Sequence, residues 1–266
     1  MKKLKPHLYT LIGKCLGASS TSLRRYLIVC TGRDGSTLLA AILSASGANF
    51  GMPEKRDWNP RAGAYESWTA AKAYAHYNRF IDLNEAGYLS RWVRLKRRYH
   101  RLWAKVLLKY HLSRASFTKI GAAHRFPQLV RLLGYQPVIV LLYRDYKNQF
   151  ASAFVRKPYS YSELADKYFN TMATGLISLS IYGGCILRYE EIIDPSATDW
   201  AARLGQVCDI APEQLLSARS RLLKDEGKRE EANSHILADP RLDALLIQLE
   251  DLRLHHHDAS RLGERA

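Results

Sequence analysis

The sequence offers no run of the roughly 20 apolar residues that a helix needs to span a bilayer. Cysteine is scarce and scattered: Cys15, Cys30, Cys185 and Cys208 form no CxxC pair and have no histidine cluster at zinc spacing, which excludes a zinc ribbon and a disulfide framework. Reduced, buried thiols in a cytosolic protein are expected. Internal repeats are absent, and no stretch rich in Pro, Gly or Ser separates two folding units, so solenoids and tethered modules drop out. A length of 266 residues then suits one α/β domain. Acidic residues are also few, 25 against 40 Lys plus Arg, and the formal charge of +15 draws phosphates, sulfates, acidic glycans, nucleic acid or anionic lipid without choosing among them. With 47% hydrophobic and 24% charged residues, disorder is excluded as the general state. The N-terminus MKKLKPHLYTLIGKCLG is basic, but Pro6, His7, Gly13 and Lys14 interrupt it, so it is not a convincing secretory segment. The expectation is a soluble cytoplasmic protein, or one held peripherally at the inner membrane. The HHH at 255–257 reads as part of a solvated tail.

What is present alternates. YLIVCT at 26–31 predicts a strand and STLLAAILSAS at 36–46 a helix. A short strand over 117–120 precedes a helix over 126–133 and a GYQP turn. VIVLLY at 138–143 is the continuous apolar run of a strand buried on both faces, ended by Arg144. Helices over 147–155 and from Tyr161 to Leu179 follow, and Gly183 and Gly184 introduce a fourth strand, CILRYE. This order predicts an α/β fold with a central, mostly parallel sheet flanked by helices, and places polar sites at the carboxyl ends of the strands.

Residues 50–116 differ in character. Within them RWVRLKRRYHRLWAKVLLKYHLSR, 91–114, carries Trp92, Leu95, Tyr99, Leu102, Val106 and Tyr110 at spacings of three and four, with Arg and Lys over much of the remaining circumference. Three uses suit such a helix: packing the apolar stripe on the core, lining a cleft for an acidic glycan, or lying on an anionic membrane.

The turn TGRDGST between first strand and first helix is the chemical centre of the sequence. The unpaired N–H groups and dipole of a helix N-terminus make an anion site. Gly35 permits close approach, Ser36 and Thr37 add hydroxyls, and Arg33 adds full charge. The arrangement is P-loop-like, although the Walker pattern GxxxxGK[ST] is absent. The alternative is a plain helix cap supplied by Asp34 or Ser36. Arg144, at the end of the third strand, and Ser152, about two helical turns later, can form a second anion-binding element.

On these residues the chain resembles the sulfotransferases that use 3′-phosphoadenosine 5′-phosphosulfate. Arg33, Gly35, Ser36 and Thr37 are similar to that family's [KR]xG[ST][ST] loop, and Leu38 and Leu39 complete the RxGSTLL form of bacterial carbohydrate sulfotransferases. Arg144 and Ser152 resemble its 3′-phosphate element, and RYEEII at 188–193 its later strand-end motif. FTKIG, with Lys119, resembles the Lys-bearing segment before the 3′-phosphate strand. The resemblance covers about 25–212. It implies a P-loop-like three-layer fold across 1–266, with 50–116 as a helical insertion on the acceptor side. It also implies donor contacts from Arg33, Asp34, Gly35, Ser36, Thr37, Leu38, Arg144 and Ser152. Asp34 stands where small or hydroxyl residues are common, and KDEGKR at 224–229 is only a vague counterpart of the late basic segment.

The reaction so implied is in-line sulfuryl transfer to a hydroxyl of a carbohydrate, glycolipid or polysaccharide, without a metal. Arg33 and Lys119 would steady the leaving oxygen. Glu54 is the first choice for the base, with Asp57, His76 and His124 as alternatives. Glu190 is expected to be structural. Two rivals compete: a nucleotide-dependent kinase, opposed by the missing Walker lysine and magnesium-binding acids, and a nucleic-acid or acidic-polymer binder, opposed by the lack of helix-turn-helix, zinc-finger or RNP signatures. Nucleic acid is not an expected partner; contact with an anionic membrane is an open one.

Overall fold

The structure is a computed structural model and describes residues 24–51, 53, 65–85, 90–121, 125–155, 159–224 and 238–259. Four strands, β1 (Arg24–Cys30), β2 (Phe117–Gly121), β3 (Gln136–Tyr143) and β4 (Gly184–Arg188), form one sheet in the order β2-β1-β3-β4. Every pairing is parallel, with Ile28 opposite Lys119 and Val140, and Leu142 opposite Leu187. The chain leaves β1 for β2 on one side and returns to β3 on the other. The switch point therefore falls between the carboxyl ends of β1 and β3, where an open α/β sheet leaves a crevice.

Side chains alternate across the sheet and divide the core in two. Leu27 and Val29 face α2 (Trp68–Glu85), α3 (Arg91–Leu112), α4 (Phe126–Leu132), α5 (Tyr146–Phe154), α6 (Tyr161–Tyr182) and α10 (Pro240–Ala259). Tyr26 and Ile28 face α1 (Ser36–Ala45), α7 (Tyr189–Ile193), α8 (Asp199–Cys208) and α9 (Pro212–Lys224). Three layers result, as expected from the alternating pattern. Cys30, Cys185 and Cys208 are buried free thiols. Burial raises the pKa of Cys30 and Cys185 to about 12, which keeps both protonated and inert at neutral pH.

Three expectations are corrected. GYQP is not all turn, because Gln136 and Pro137 already belong to β3; Pro137 lacks an N–H, a loss tolerable at a strand's start. CILRYE is not all strand, because Tyr189 and Glu190 open α7. The HHH segment lies in α10 and not in a tail beyond it, although His255 is solvated as expected: it is exposed and lies 3.4 Å from Asp251 one turn earlier.

Helix α3 supplies the largest correction. Its buried residues are Ala104, Leu108, His111 and Leu112, whereas Trp92, Leu95, Tyr99 and Leu102 are more than half exposed. Core packing uses a face of small and aliphatic side chains, so the first half of the stripe, Trp92 to Leu102, does not pack on the core, while Val106 and Tyr110 are half-buried. Arg25, buried at the start of β1, fixes the other end by donating from Nε to Leu112 O at 2.8 Å. Cation capping of the last carbonyls complements the helix dipole there.

Candidate anion-binding site at the switch point

The β1–α1 loop turns through positive φ at Gly32, Arg33 and Gly35. For Arg33, at φ 65°, this left-handed conformation is strained, and its neighbours must hold it. Asp34 does so. Its fully buried carboxylate accepts from Thr31 N at 2.6 Å, Thr31 Oγ1 at 3.2 Å and Gly32 N at 3.3 Å through Oδ2, and from Ser36 N at 3.1 Å through Oδ1. The charge is thus spent inside the loop and shapes it from within. Gly35 is obligatory for two reasons: its φ is 86°, and a Cβ there would lie 1.9 Å from the Tyr189 ring.

From β3 and α5 comes a second wall. Arg33 Nη2 donates to Ser152 Oγ at 3.0 Å, and Arg144 Nη1 reaches Arg33 O at 3.4 Å. The Arg144 guanidinium also lies 4.8 Å over the Tyr189 ring, so Tyr189 is held between Gly35 and Arg144. Burial lowers the Arg144 pKa from its ordinary value, while Glu190, Asp34 and Asp145 oppose that effect. Gln149, one turn before Ser152, donates from Nε2 to Thr31 Oγ1 at 2.6 Å and Gly32 O at 2.8 Å. Tyr168 of α6 donates to Arg144 O at 2.8 Å.

Lys119 of β2 forms the third side. Its largely buried Nζ donates to Thr37 Oγ1 at 3.0 Å and lies 3.5 Å from Glu66 Oε1, whose carboxylate is exposed. Glu190 behaves as an architectural residue: it pairs with Arg188 at 3.2 Å and accepts from Asp145 N at 3.3 Å.

The sheet therefore brings together Arg33, Gly35, Ser36, Thr37, Leu38, Lys119, Arg144 and Ser152, from segments as much as 119 residues apart. Among the described residues, the N–H groups of Gly35, Thr37 and Leu38 find no acceptor, and buried Arg144 Nε likewise has none. Donors without acceptors beside three cations fit a multiply charged anion. His76 is not part of this site, for its Nδ1 faces His100 Nδ1 at 2.8 Å between α2 and α3. Glu54, Asp57 and His124 lie outside the described residues, as do 225–229 of the KDEGKR segment. No group of three or more His, Cys, Asp or Glu suited to a metal occurs among the described residues.

No role was legible in the sequence for Gln149 or Glu66, and Tyr189 entered only as part of the RYEEII motif. Gln149 had a signal, since a spacing of three from Ser152 shares a helix face. Glu66 had none, because its position depends on a long-range pairing with Lys119.

The fold and this crevice define an α/β protein with a candidate anion site at a sheet's switch point. The chain matches no family model and no curated protein. Its fold is similar to the crystal structure of sulfotransferase STF9 from Mycobacterium avium, with a TM-score of 0.50 and 13% identity, over 97% of this chain and 82% of that one. The likeness is one of fold.

Proposed function

We propose that the protein transfers a sulfuryl group from 3′-phosphoadenosine 5′-phosphosulfate to a hydroxyl of a carbohydrate, glycolipid or polysaccharide. The observation that carries this reading is the joining of the two anion elements through Arg33, which donates to Ser152 while its carbonyl accepts from Arg144. A donor with phosphates at two ends calls for two such elements side by side, and a sulfotransferase fold neighbour agrees with the reading.

In this reading the N–H groups of Gly35, Thr37 and Leu38, with the Ser36 and Thr37 hydroxyls and Arg33, hold the phosphosulfate. Arg144 and Ser152 hold the 3′-phosphate. The acceptor oxygen forms a bond to sulfur as the bond from sulfur to the bridging oxygen breaks, and the nucleotide bisphosphate leaves. Arg33 and Lys119 offset the charge gathering on that oxygen. Asp34 contributes through the loop's shape. The acceptor proton passes to a carboxylate: Glu54 by family resemblance, or Glu66, the described carboxylate that approaches Lys119. The segment 50–116 would form the acceptor side.

Transfer of labelled sulfate from the donor to a panel of glycolipids and polysaccharides tests this. We expect product with at least one acceptor, a loss of about 100-fold or more in the variant lacking the true base, Glu54→Gln or Glu66→Gln, and unchanged nucleotide binding in that variant. Absence of transfer with every acceptor, coupled with turnover of ATP, would favour the kinase.

A further inference from the structure

Helix α3 presents a second apolar face on the side away from the core. Trp92, Leu95, Tyr99 and Leu102 are 75%, 58%, 52% and 58% exposed, and spacings of three and four align them. Exposed Arg91, Arg94, Arg98 and Arg101 run along one flank, with Lys96 on the other, and α3 contains no acidic residue. Arg91, Trp92, Arg94, Leu95 and Arg98 line a surface hollow. We propose that this face docks the protein on an anionic lipid bilayer, with α3 lying in the interfacial plane, its apolar stripe among the acyl chains and its arginines on headgroup phosphates.

Two observations select lipid over the other anions. A soluble polyanion would meet the arginines but leave four large apolar side chains in water, whereas the headgroup boundary takes both. The helix is also held to the body by its far half: Ala104, Leu108 and Leu112 are buried, and Arg25 caps its C-terminus. The exposed half can then enter the interface without unpacking the core. No helix among the described residues is long and apolar enough to cross a membrane, so this contact would be peripheral. The proposal does not depend on the sulfotransferase reading.

The test is vesicle flotation of the full chain with phosphatidylcholine alone and with one part in three phosphatidylglycerol. We expect binding to the second only. Each of Arg94→Gln and Arg98→Gln should weaken it about fivefold, and Trp92→Ser with Leu95→Ser at least about tenfold, with thermal melting unchanged. Brominated lipid should quench the tryptophan emission of the parent, and that quenching should be largely lost in Trp92→Phe. Binding that ignores the apolar substitutions and disappears in high salt would overturn the proposal, as would equal competition by RNA. A dimer that dissociates on Trp92→Ser would instead assign the face to a second copy and refute it.

Discussion

Asp34 stands where a carboxylate facing an anionic ligand would oppose binding, yet its oxygens turn onto Thr31, Gly32 and Ser36. A buried carboxylate with this many donors is fully satisfied where it lies, and the loop draws its shape from it. Asp34→Ala leaves the Thr31 and Ser36 N–H groups without their acceptor. It should cost about 2–4 kcal/mol in urea unfolding and abolish anion binding as the loop relaxes. A change below about 0.5 kcal/mol with binding retained would show that the loop holds itself. The sequence shows an acid in a basic turn; only the left-handed path through Arg33 turns it inward.

At the level of elements, the strands and the turn between β1 and α1 were legible because buried parallel strands need continuous apolar runs such as VIVLLY, and because a glycine-bearing polar turn between two apolar runs marks where strand hands over to helix. Helix α3 was legible as a helix but not in its orientation. Of the three uses open to its apolar stripe, core packing is not the one Trp92, Leu95, Tyr99 and Leu102 serve, since they are solvent-exposed and burial falls to Ala104, Leu108 and Leu112. Periodicity locates a stripe, but which stripe meets the core depends on what the neighbouring helix offers. At the C-terminal end of α3 the His111 ring bonds Ser67 Oγ, just ahead of α2, at 3.1 Å and Thr118 Oγ1 of β2 at 2.8 Å. Burial, aided by Arg25, lowers its pKa to about 4. Because the unfolded chain protonates first, near pH 6.5, this histidine's contribution is complete above that value and is lost as pH falls towards 4. Unfolding free energies from urea titrations at pH 7 and pH 5 should differ by about 2 kcal/mol more in the parent than in His111→Gln. Equal pH dependence in both would place the titration elsewhere.

For the whole molecule, the strand order β2-β1-β3-β4 makes the site, since it sets Arg33 beside Arg144 and Ser152 and Lys119 beside Thr37. That order was not legible, because nothing local in the chain records which side of β1 a later strand will take. Charge belongs to this scale too. A net +15 is general, but the structure concentrates donors without acceptors at the crevice and cations with exposed aromatics on α3. The central claim, that the crevice holds a nucleotide phosphorylated at both ends, is tested most directly by thermal melting with adenosine 3′,5′-bisphosphate against ATP plus magnesium. At about 100 times its dissociation constant the bisphosphate should stabilise the parent by roughly 2.7 kcal/mol, a rise of about 5–10 °C. ATP should give little shift, and Arg144→Ala should weaken the bisphosphate about 10- to 100-fold. An equal response to ATP, or a bisphosphate shift that survives Arg144→Ala unchanged, would contradict the account.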